Sequence, residues 1–225
     1  YDASILLEYT SSDFAIGRFA LQACNDEPVC NWYTQRAMNW KNLFNKETGW
    51  LQSLNEDGSW KRYDAYWRES TYKNYFWMVP YDLQGLIDSI GGKEAAEKRL
   101  DEMFRRLDAS YGDEWFASGN EPSFQIPWIY NWAGAPYKAQ QVIRRILNEQ
   151  YSSRVNGLPG NDDLGSMGAW YVFASIGLFP EIPGVGGFSV NSPVFRKIVL
   201  HLPEGDVIIK IGRASCRERV SRGVG

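Results

Sequence analysis

The stretch DLQGLIDSIGGKEAAEKRLDEMFRRL, residues 82–107, reads as two helices separated by a pair of glycines. The first segment, 82–90, ends at Gly91-Gly92, because glycine readily adopts the left-handed conformation that closes a helix. The second segment, 93–107, is amphipathic and rich in charged residues. The stretch therefore predicts a helical hairpin.

Helical spacing of apolar residues continues on both sides of this hairpin. In residues 5–23 the apolar positions include Leu7 and Phe14, and in residues 33–44 they include Trp40. Further helical segments are predicted at 72–79, 127–132, 137–151 and 164–178. The first four fifths of the chain are therefore expected to form a series of helical hairpins.

The character of the chain changes after Pro180. The segments GFSVNSPVF, KIVLHLP and DVIIKI are short, β-rich and bounded by turn residues, as is typical of strands. We therefore predict a mainly α fold, a partial α/α toroid built from helical hairpins, with a short C-terminal β segment. The partial α/α barrel is expected in residues 1–180 and the β segment in residues 181–210.

Composition and charge exclude several classes of protein. The 225 residues, 44% of them hydrophobic, are enough to bury a substantial core. A net charge of −3 and scattered Lys and Arg residues argue against a nucleic-acid surface, and no apolar run approaches the roughly 20 residues that span a bilayer. Because the sequence begins at Tyr1, without Met and inside a helical pattern, we expect a piece of a longer protein.

The C-terminal residues and the cysteines leave alternatives open. From Ile211 the sequence IGRASCRERV resembles the translation of a sequencing-library adapter, so we predict that residues 211–225 are an artefact; a genuine basic tail is the alternative. Without Cys216, the remaining pair is Cys24 and Cys30, in a predicted loop between two helices. The pair forms either a small disulfide loop in an exported protein or two free thiols.

Aromatic residues make up 15% of the chain, with 10 Trp, 13 Tyr and 11 Phe. Sugar rings present apolar C–H faces that stack on aromatic rings, while their hydroxyls bind carboxylates, amides and Arg. The composition therefore suits a carbohydrate site. A core rich in large side chains is the alternative, and composition alone favours it.

Three segments place carboxylates beside Gly, Pro or Ser at predicted helix entrances. They are YWRESTYKNYFWMVPYD at 66–82 with Glu69, GNEPSFQIPWIYNWAG at 119–134 with Glu121, and GLPGNDDLGSMGAW at 157–170 with Asp162 and Asp163. Each acid taken singly is explained as a helix cap or a partner of the helix dipole. Together they suit glycoside hydrolysis, in which one carboxylic acid protonates the leaving oxygen and a second carboxylate attacks or activates water.

The order of these segments resembles the C-terminal half of glycoside hydrolase family 92, the calcium-dependent exo-acting α-mannosidases. The resemblance rests on LLEYTSSDFAIGRFA, RAMNWKNLF, VPYDLQGLI, GNEPSFQIPWIYNWAGAPYKAQ, GLPGNDDLGSMGAWYVFASIGLFP and SPVFRKIVLHLP. It implies an α/α-barrel catalytic domain, preceded by a β-sandwich domain of the same chain that contributes to the site. It also implies removal of terminal α-linked mannose, expected to be α-1,2-linked, with inversion, by a secreted, periplasmic or cell-surface enzyme.

The resemblance assigns roles to individual residues. Glu69 matches the family's general acid, and Asp163 matches its base, with Asp162 beside it orienting the water or binding sugar. Expected substrate contacts are Glu121, Asn161 and Trp128. Three positions depart from the family pattern: Ser70 replaces a Gly, Lys73 replaces a common aromatic residue, and Tyr81 replaces a His. These departures leave open the substrate preference and the environment that sets the acidity of the general acid.

Calcium is the cofactor that the resemblance implies. A hard calcium ion that takes O2 and O3 of a terminal mannose would help to distort the ring toward the oxocarbenium-like transition state. The expected ligands are Asn120, Glu121 and Gln125, with capping of the helix near Pro122 as the alternative. His201 is the one His of the chain and lies in a strand-like run, which argues against a His-based zinc site.

Three other interpretations stay open. Another α/α-barrel glycosidase, such as a glucosidase, would share the toroid and the paired acids without needing calcium, but the NEP and GNDD sequences argue against it. A non-catalytic carbohydrate-binding protein would keep the aromatic residues and lose the acids, and both acids are present. The chain taken alone is, in the third interpretation, an inactive piece of an active enzyme.

Overall fold

The structure is a computed structural model that describes residues 2–211 and 219–222. The helices are α1 (Ala3–Cys24), α2 (Glu27–Ala37), α3 (Tyr72–Tyr75), α4 (Leu83–Ser89), α5 (Lys93–Met103), α6 (Ile129–Trp132), α7 (Pro136–Glu149) and α8 (Ser166–Ile176). The strands are β1 (Phe44–Asn45), β2 (Trp50–Leu51), β3 (Leu178–Phe179), β4 (Ser189–Val190), β5 (Lys197–Leu202), β6 (Gly205–Lys210) and β7 (Arg219–Arg222). The predicted artefact at 211–225 lies largely outside the described residues and stays a prediction.

Helices α1 and α2 form a hairpin with a two-residue turn. Asn25 ends α1 in the left-handed conformation, and Asp26 caps α2 by accepting a hydrogen bond from Val29 N at 3.1 Å. Because this cap starts α2 early, Cys30 lies inside a helix and the predicted loop there is wrong. Cys24 is exposed, Cys30 is buried, and both are free thiols.

The predicted hairpin around Gly91-Gly92 is confirmed as α4 and α5. Asp82 caps α4 by accepting a hydrogen bond from Gly85 N at 3.2 Å, and it also accepts one from Trp40 Nε1 at 3.1 Å. The two glycines have φ angles of 101° and 95°, which residues with side chains rarely adopt. The cap and the glycine pair therefore set both ends of α4, although α5 is shorter than predicted.

The aromatic segment 72–79 forms only one helical turn, α3, where a longer helix was predicted. The segment is buried almost throughout, with Phe76, Trp77 and Val79 among its core residues. Pro80 follows directly, and its ring is incompatible with a continuing helix. The backbone conformation of this segment is therefore determined by packing on all of its sides and not by an amphipathic helical repeat.

The strands after α8 confirm the predicted C-terminal β segment. Strands β3 and β4 pair antiparallel, and β5, β6 and β7 form an antiparallel sheet in that order. The main apolar core lies among the helices, with members from α1, α3, α4, α5, α6, α7 and α8. Within the described part of the chain, no helix combines the length and apolar character needed to cross a membrane.

Candidate active site

Asn74, in α3, is completely buried (0% exposed) and joins three segments of the chain. Its Oδ1 accepts hydrogen bonds from Ala117 N at 3.3 Å and from Ser123 Oγ at 3.0 Å. Its Nδ2 donates to Trp115 O at 2.9 Å. The side chain thereby fixes residues 119–125, here called the NEP turn, against α3 and the loop that precedes the turn.

Glu69, the predicted acid, is exposed in the loop before α3, residues 66–71, here called the Glu69 loop. Its φ angle of 51° lies in the left-handed region, which is costly for a residue with a Cβ atom. Asn120 of the NEP turn donates a hydrogen bond from Nδ2 to Glu69 O at 2.7 Å. A buried amide therefore ties the Glu69 loop to the NEP turn.

Residues 160–166, here called the GNDD turn, lie next to the NEP turn through close backbone contact. A Cβ atom on Gly119 would stand 2.6 Å from Pro159 O, and one on Gly160 would stand 2.4 Å from Gly119 O. Only glycine allows this approach. A pocket of about 230 Å³ lies where the turns meet, and its lining includes Tyr111, Gly119, Asn120, Pro159, Gly160 and Asn161. The predicted substrate residue Asn161 thus lies beside this pocket.

The two adjacent carboxylates of the GNDD turn have different surroundings. Asp162 Oδ1 accepts a hydrogen bond from Gly168 N at 2.9 Å and so caps the first turn of α8. Asp163 is exposed, and φ is positive at three consecutive residues: 34° at Asp163, 61° at Leu164 and 83° at Gly165. Asp162 therefore supports the helix, while the sharp turn leaves the Asp163 side chain available for chemistry.

The three predicted calcium ligands all lie in the NEP turn. Gln125 Nε2 donates to two backbone carbonyls at 3.3 and 3.1 Å, and Asn120 Nδ2 donates to the carbonyl of Glu69. One oxygen of Glu121 accepts a hydrogen bond from Ser166 Oγ at 3.0 Å. No group of three or more His, Cys, Asp and Glu side chains in the described part of the chain could hold a metal ion. Any cation here would therefore rely on amide oxygens as well as on carboxylates.

Sequence analysis assigned no role to Glu8 and Tyr75. Tyr75 OH, in a side chain that is 4% exposed, donates to Glu8 Oε1 at 3.4 Å. Partial burial of its carboxyl group raises the pKa of Glu8, and the negative charge of Glu121 adds to this effect. Burial, with the charges of Glu8 and Glu69, raises the pKa of Tyr75. Helix α1 therefore brings a further acid to this region, and a lone Glu in a largely uncharged helix was the one sequence signal for it.

Two aromatic residues considered in the sequence have structural roles. Trp128 is 0% exposed, stacks on Phe179 with 4.1 Å between ring centroids, and donates from Nε1 to Asn191 Oδ1 at 3.1 Å. The prediction that Trp128 binds substrate is wrong, because its ring is enclosed in the core. Tyr81 donates from its hydroxyl to Ala37 O at 2.8 Å and so supports the fold.

The sequence matches a known protein family over nearly its whole length. Residues 1–221 match the Glycosyl hydrolase family 92 catalytic domain. The chain belongs to glycosyl hydrolase family 92. A curated relative from Arthroderma benhamiae, described as an uncharacterized secreted glycosidase, is 28% identical over an alignment 226 residues long, which covers 88% of this chain and 28% of the relative.

Solved family 92 structures share the fold of this chain. The family GH92 α-mannosidase BT3965 from Bacteroides thetaiotaomicron is 32% identical with a TM-score of 0.84, over 95% of this chain and 29% of its own. The family GH92 inverting mannosidase BT2199 from the same organism is 30% identical with a TM-score of 0.82, over 95% of this chain and 32% of its own. These matches confirm the predicted mainly helical, partial toroid. The chain spans less than a third of the length of each relative.

The contact between the two turns gives a stability prediction. In Gly160→Ala the new methyl group would meet Gly119 O, so the turns must separate, and we expect the free energy of unfolding to fall by about 1–3 kcal/mol. Gly112→Ala is the matched control, because a Cβ atom at Gly112 meets nothing within 4 Å. Urea unfolding measures both variants. Equal stability of the two would show that the turns do not need this close approach.

Proposed function

We propose that this family 92 chain is part of an enzyme that hydrolyses terminal α-linked mannose, preferably α-1,2-linked, with inversion at the anomeric carbon. The observation that supports it most is that the NEP turn is joined to the Glu69 loop by Asn120 and to the GNDD turn by Gly119. The expected acid and the expected base therefore stand on two loops that both adjoin the NEP turn. The descriptions of the solved relatives as an α-mannosidase and an inverting mannosidase support the substrate and the stereochemistry.

In the proposed reaction two carboxyl groups act on opposite sides of the sugar. Glu69 donates a proton to the glycosidic oxygen as the bond from that oxygen to C1 breaks. Asp163 accepts a proton from a water molecule, whose oxygen forms the new bond to C1 from the opposite face. An inverting pair of carboxyl groups stands roughly 6.5–9.5 Å apart to leave room for this water. The products are free mannose of inverted configuration and the shortened glycan.

The neighbouring polar residues have supporting roles in this proposal. Asp162 holds the GNDD turn through its bond to Gly168 N, and its second carboxylate oxygen is left to orient the water or bind sugar. Asn161, beside the pocket, and Glu121, with one oxygen held by Ser166, are proposed to bind sugar hydroxyls. The site is thus built from loops anchored on buried side chains.

The complete enzyme is proposed to be larger than this chain, because the relatives are more than three times as long as the part they share with it. We propose that a β-sandwich domain of the same polypeptide completes the cleft around a mannose-containing glycan. The name of the Arthroderma benhamiae relative, a secreted glycosidase, supports an extracytoplasmic location, whether secreted, periplasmic or at the cell surface.

Calcium is the proposed cofactor, and the NEP turn suits it in part. The amide nitrogens of Asn120 and Gln125 point to backbone carbonyls, so their oxygens face away and have no donor among the described residues. With a carboxylate oxygen of Glu121 they form the all-oxygen set that calcium prefers. A bound calcium ion would supply Lewis-acid attraction for sugar hydroxyls. The fold would supply the positions of the three side chains.

The calcium proposal is tested by metal removal from the enzyme that contains this chain. We expect chelation to abolish hydrolysis and calcium to restore it better than zinc, because zinc prefers nitrogen and sulfur ligands. Independently of activity, calcium should raise the melting temperature of the wild-type protein more than that of Glu121→Gln. Full activity with a metal content measured as nil would remove calcium from the proposal.

The role of Glu69 is tested by its leaving-group dependence. Glu69→Gln should lower kcat by about 10²–10⁴ for mannosides with poor leaving groups, because these need a proton on the departing oxygen. Activated aryl mannosides should lose much less. Glu94→Gln, which removes an exposed carboxylate on α5, is the matched control and should leave both rates unchanged. Equal losses on both substrate types would contradict the assignment of Glu69 as the acid.

The role of Asp163 is tested by the anomer of the first product. A base that acts through water gives β-mannose from an α-mannoside, and proton NMR at early times distinguishes the two anomers before they equilibrate. Asp163→Asn should slow hydrolysis of activated and unactivated mannosides alike, because both need the water. Initial release of α-mannose would require a covalent intermediate and would rule out this reaction scheme.

A further inference from the structure

The backbone around Glu69 is held from two sides by different parts of the fold. On one side Arg68 N donates a hydrogen bond to Ser4 Oγ at 3.3 Å, and Ser4 lies at the start of α1 with 1% exposure. On the other side Glu69 O accepts the hydrogen bond from Asn120 Nδ2 at 2.7 Å. The two hydrogen bonds therefore fix the backbone at both ends of the Arg68–Glu69 dipeptide.

Ser4 is itself fixed by the N-terminus of α1. Its hydroxyl donates to Asp2 Oδ1 at 2.5 Å, and Asp2 is the N-cap that accepts from Ser4 N at 3.0 Å. The other oxygen of Asp2 lies 3.5 Å from Arg68 Nε. Ser4 therefore contacts the backbone of Arg68, the residue before Glu69, and the N-cap Asp2 contacts its side chain.

These two hydrogen bonds hold a strained part of the backbone in place. Glu69 has a φ angle of 51°, and Tyr66 in the same loop has 65°, so the loop holds two residues in a conformation that residues with side chains avoid. A strained backbone of this kind persists only where surrounding contacts determine it. Without the hydrogen bonds, the loop would relax toward ordinary φ values and the Glu69 side chain would change direction.

We propose that Ser4 and Asn120 are positioning residues, which hold the strained backbone of Glu69 so that its carboxyl group reaches the glycosidic oxygen. This inference rests on the function proposed above, adds Ser4 to it and gives Asn120 a second role. Ser4 comes from a helix to which sequence analysis gave no role in the site. Asn120 acts through its amide nitrogen, which leaves its oxygen for the proposed cation.

The variants that test the inference are Ser4→Ala and Asn120→Asp in the enzyme that contains this chain. Asn120→Asp keeps the volume and an oxygen ligand and removes the donor, so it separates positioning from metal binding. Ser11→Ala is the matched control, because Ser11 is also a buried serine of α1 and its hydroxyl has no hydrogen-bond partner among the described residues. Circular dichroism and melting temperature establish which variants are folded.

Positioning of an acid predicts a specific kinetic signature. A shift of the acid by about 1 Å costs on the order of 10²-fold in rate, so kcat for an unactivated α-mannoside should fall about 10- to 100-fold in both variants. The rate for dinitrophenyl α-mannoside, which needs no protonation, should change by less than about threefold on the same reasoning. Ser11→Ala should leave the rates for both substrates nearly unchanged, because its hydroxyl makes no hydrogen bond among the described residues.

A double-mutant cycle tests whether Ser4 acts through Glu69. If Ser4 acts through Glu69, Ser4→Ala should cause no further loss in a Glu69→Gln background. Equal losses on the two substrates, or a full additional loss in that background, would overturn the inference. If Asn120→Asp does not fold, Ser4→Ala and its double variant decide the outcome. A wild-type enzyme that releases mannose from neither substrate would instead refute the proposed function.

Discussion

The buried side chain of Asn74 makes the hydrogen bonds on which the arrangement of the cleft depends. Its acceptor oxygen and its donor nitrogen are both used, so one rigid amide holds α3, the loop at Trp115 and the NEP turn together. Each buried partner left unsatisfied would cost about 1–3 kcal/mol. The NEP turn is therefore held firmly, and from it Asn120 and Gly119 reach the Glu69 loop and the GNDD turn.

Four carboxylates in or near the loops of the candidate site have no cationic partner among the described residues. Glu8, Glu69, Glu121 and Asp163 make no ion pair with any Lys or Arg in the described part of the chain, whereas other acids do. Unpaired carboxylates attract positive charge. In the proposed reaction this environment suits the positive charge that develops on the sugar ring in an oxocarbenium-like transition state.

Sequence predicted the fold best where local signals mark both ends of an amphipathic run. Asp82 and Gly91-Gly92 do so for α4, and the apolar period alone locates α1 and α7. Prediction from sequence failed where tertiary packing determines the structure. The aromatic run at 72–79 is buried on all sides, and a count of aromatic residues does not reveal that Trp128 is buried. At the candidate site, sequence located the three loops through their acids. It could not show that Ser4 contacts the Glu69 loop or that Glu8 contacts Tyr75 of α3, because those contacts join residues more than sixty positions apart.

Backbone strain among the described residues is concentrated beside the two proposed catalytic acids. The non-glycine residues with positive φ are Asn25, Tyr66, Glu69, Asp163 and Leu164. Asn25 closes a helix, as is common for Asn, and the other four belong to the Glu69 loop and the GNDD turn. A carboxylate on a relaxed loop would settle in the direction that suits its own backbone. Here hydrogen bonds from α1 and the NEP turn hold one loop, and Asp162 with α8 holds the other. The direction of each acid is therefore set by the rigid helical scaffold rather than by the loop that carries it.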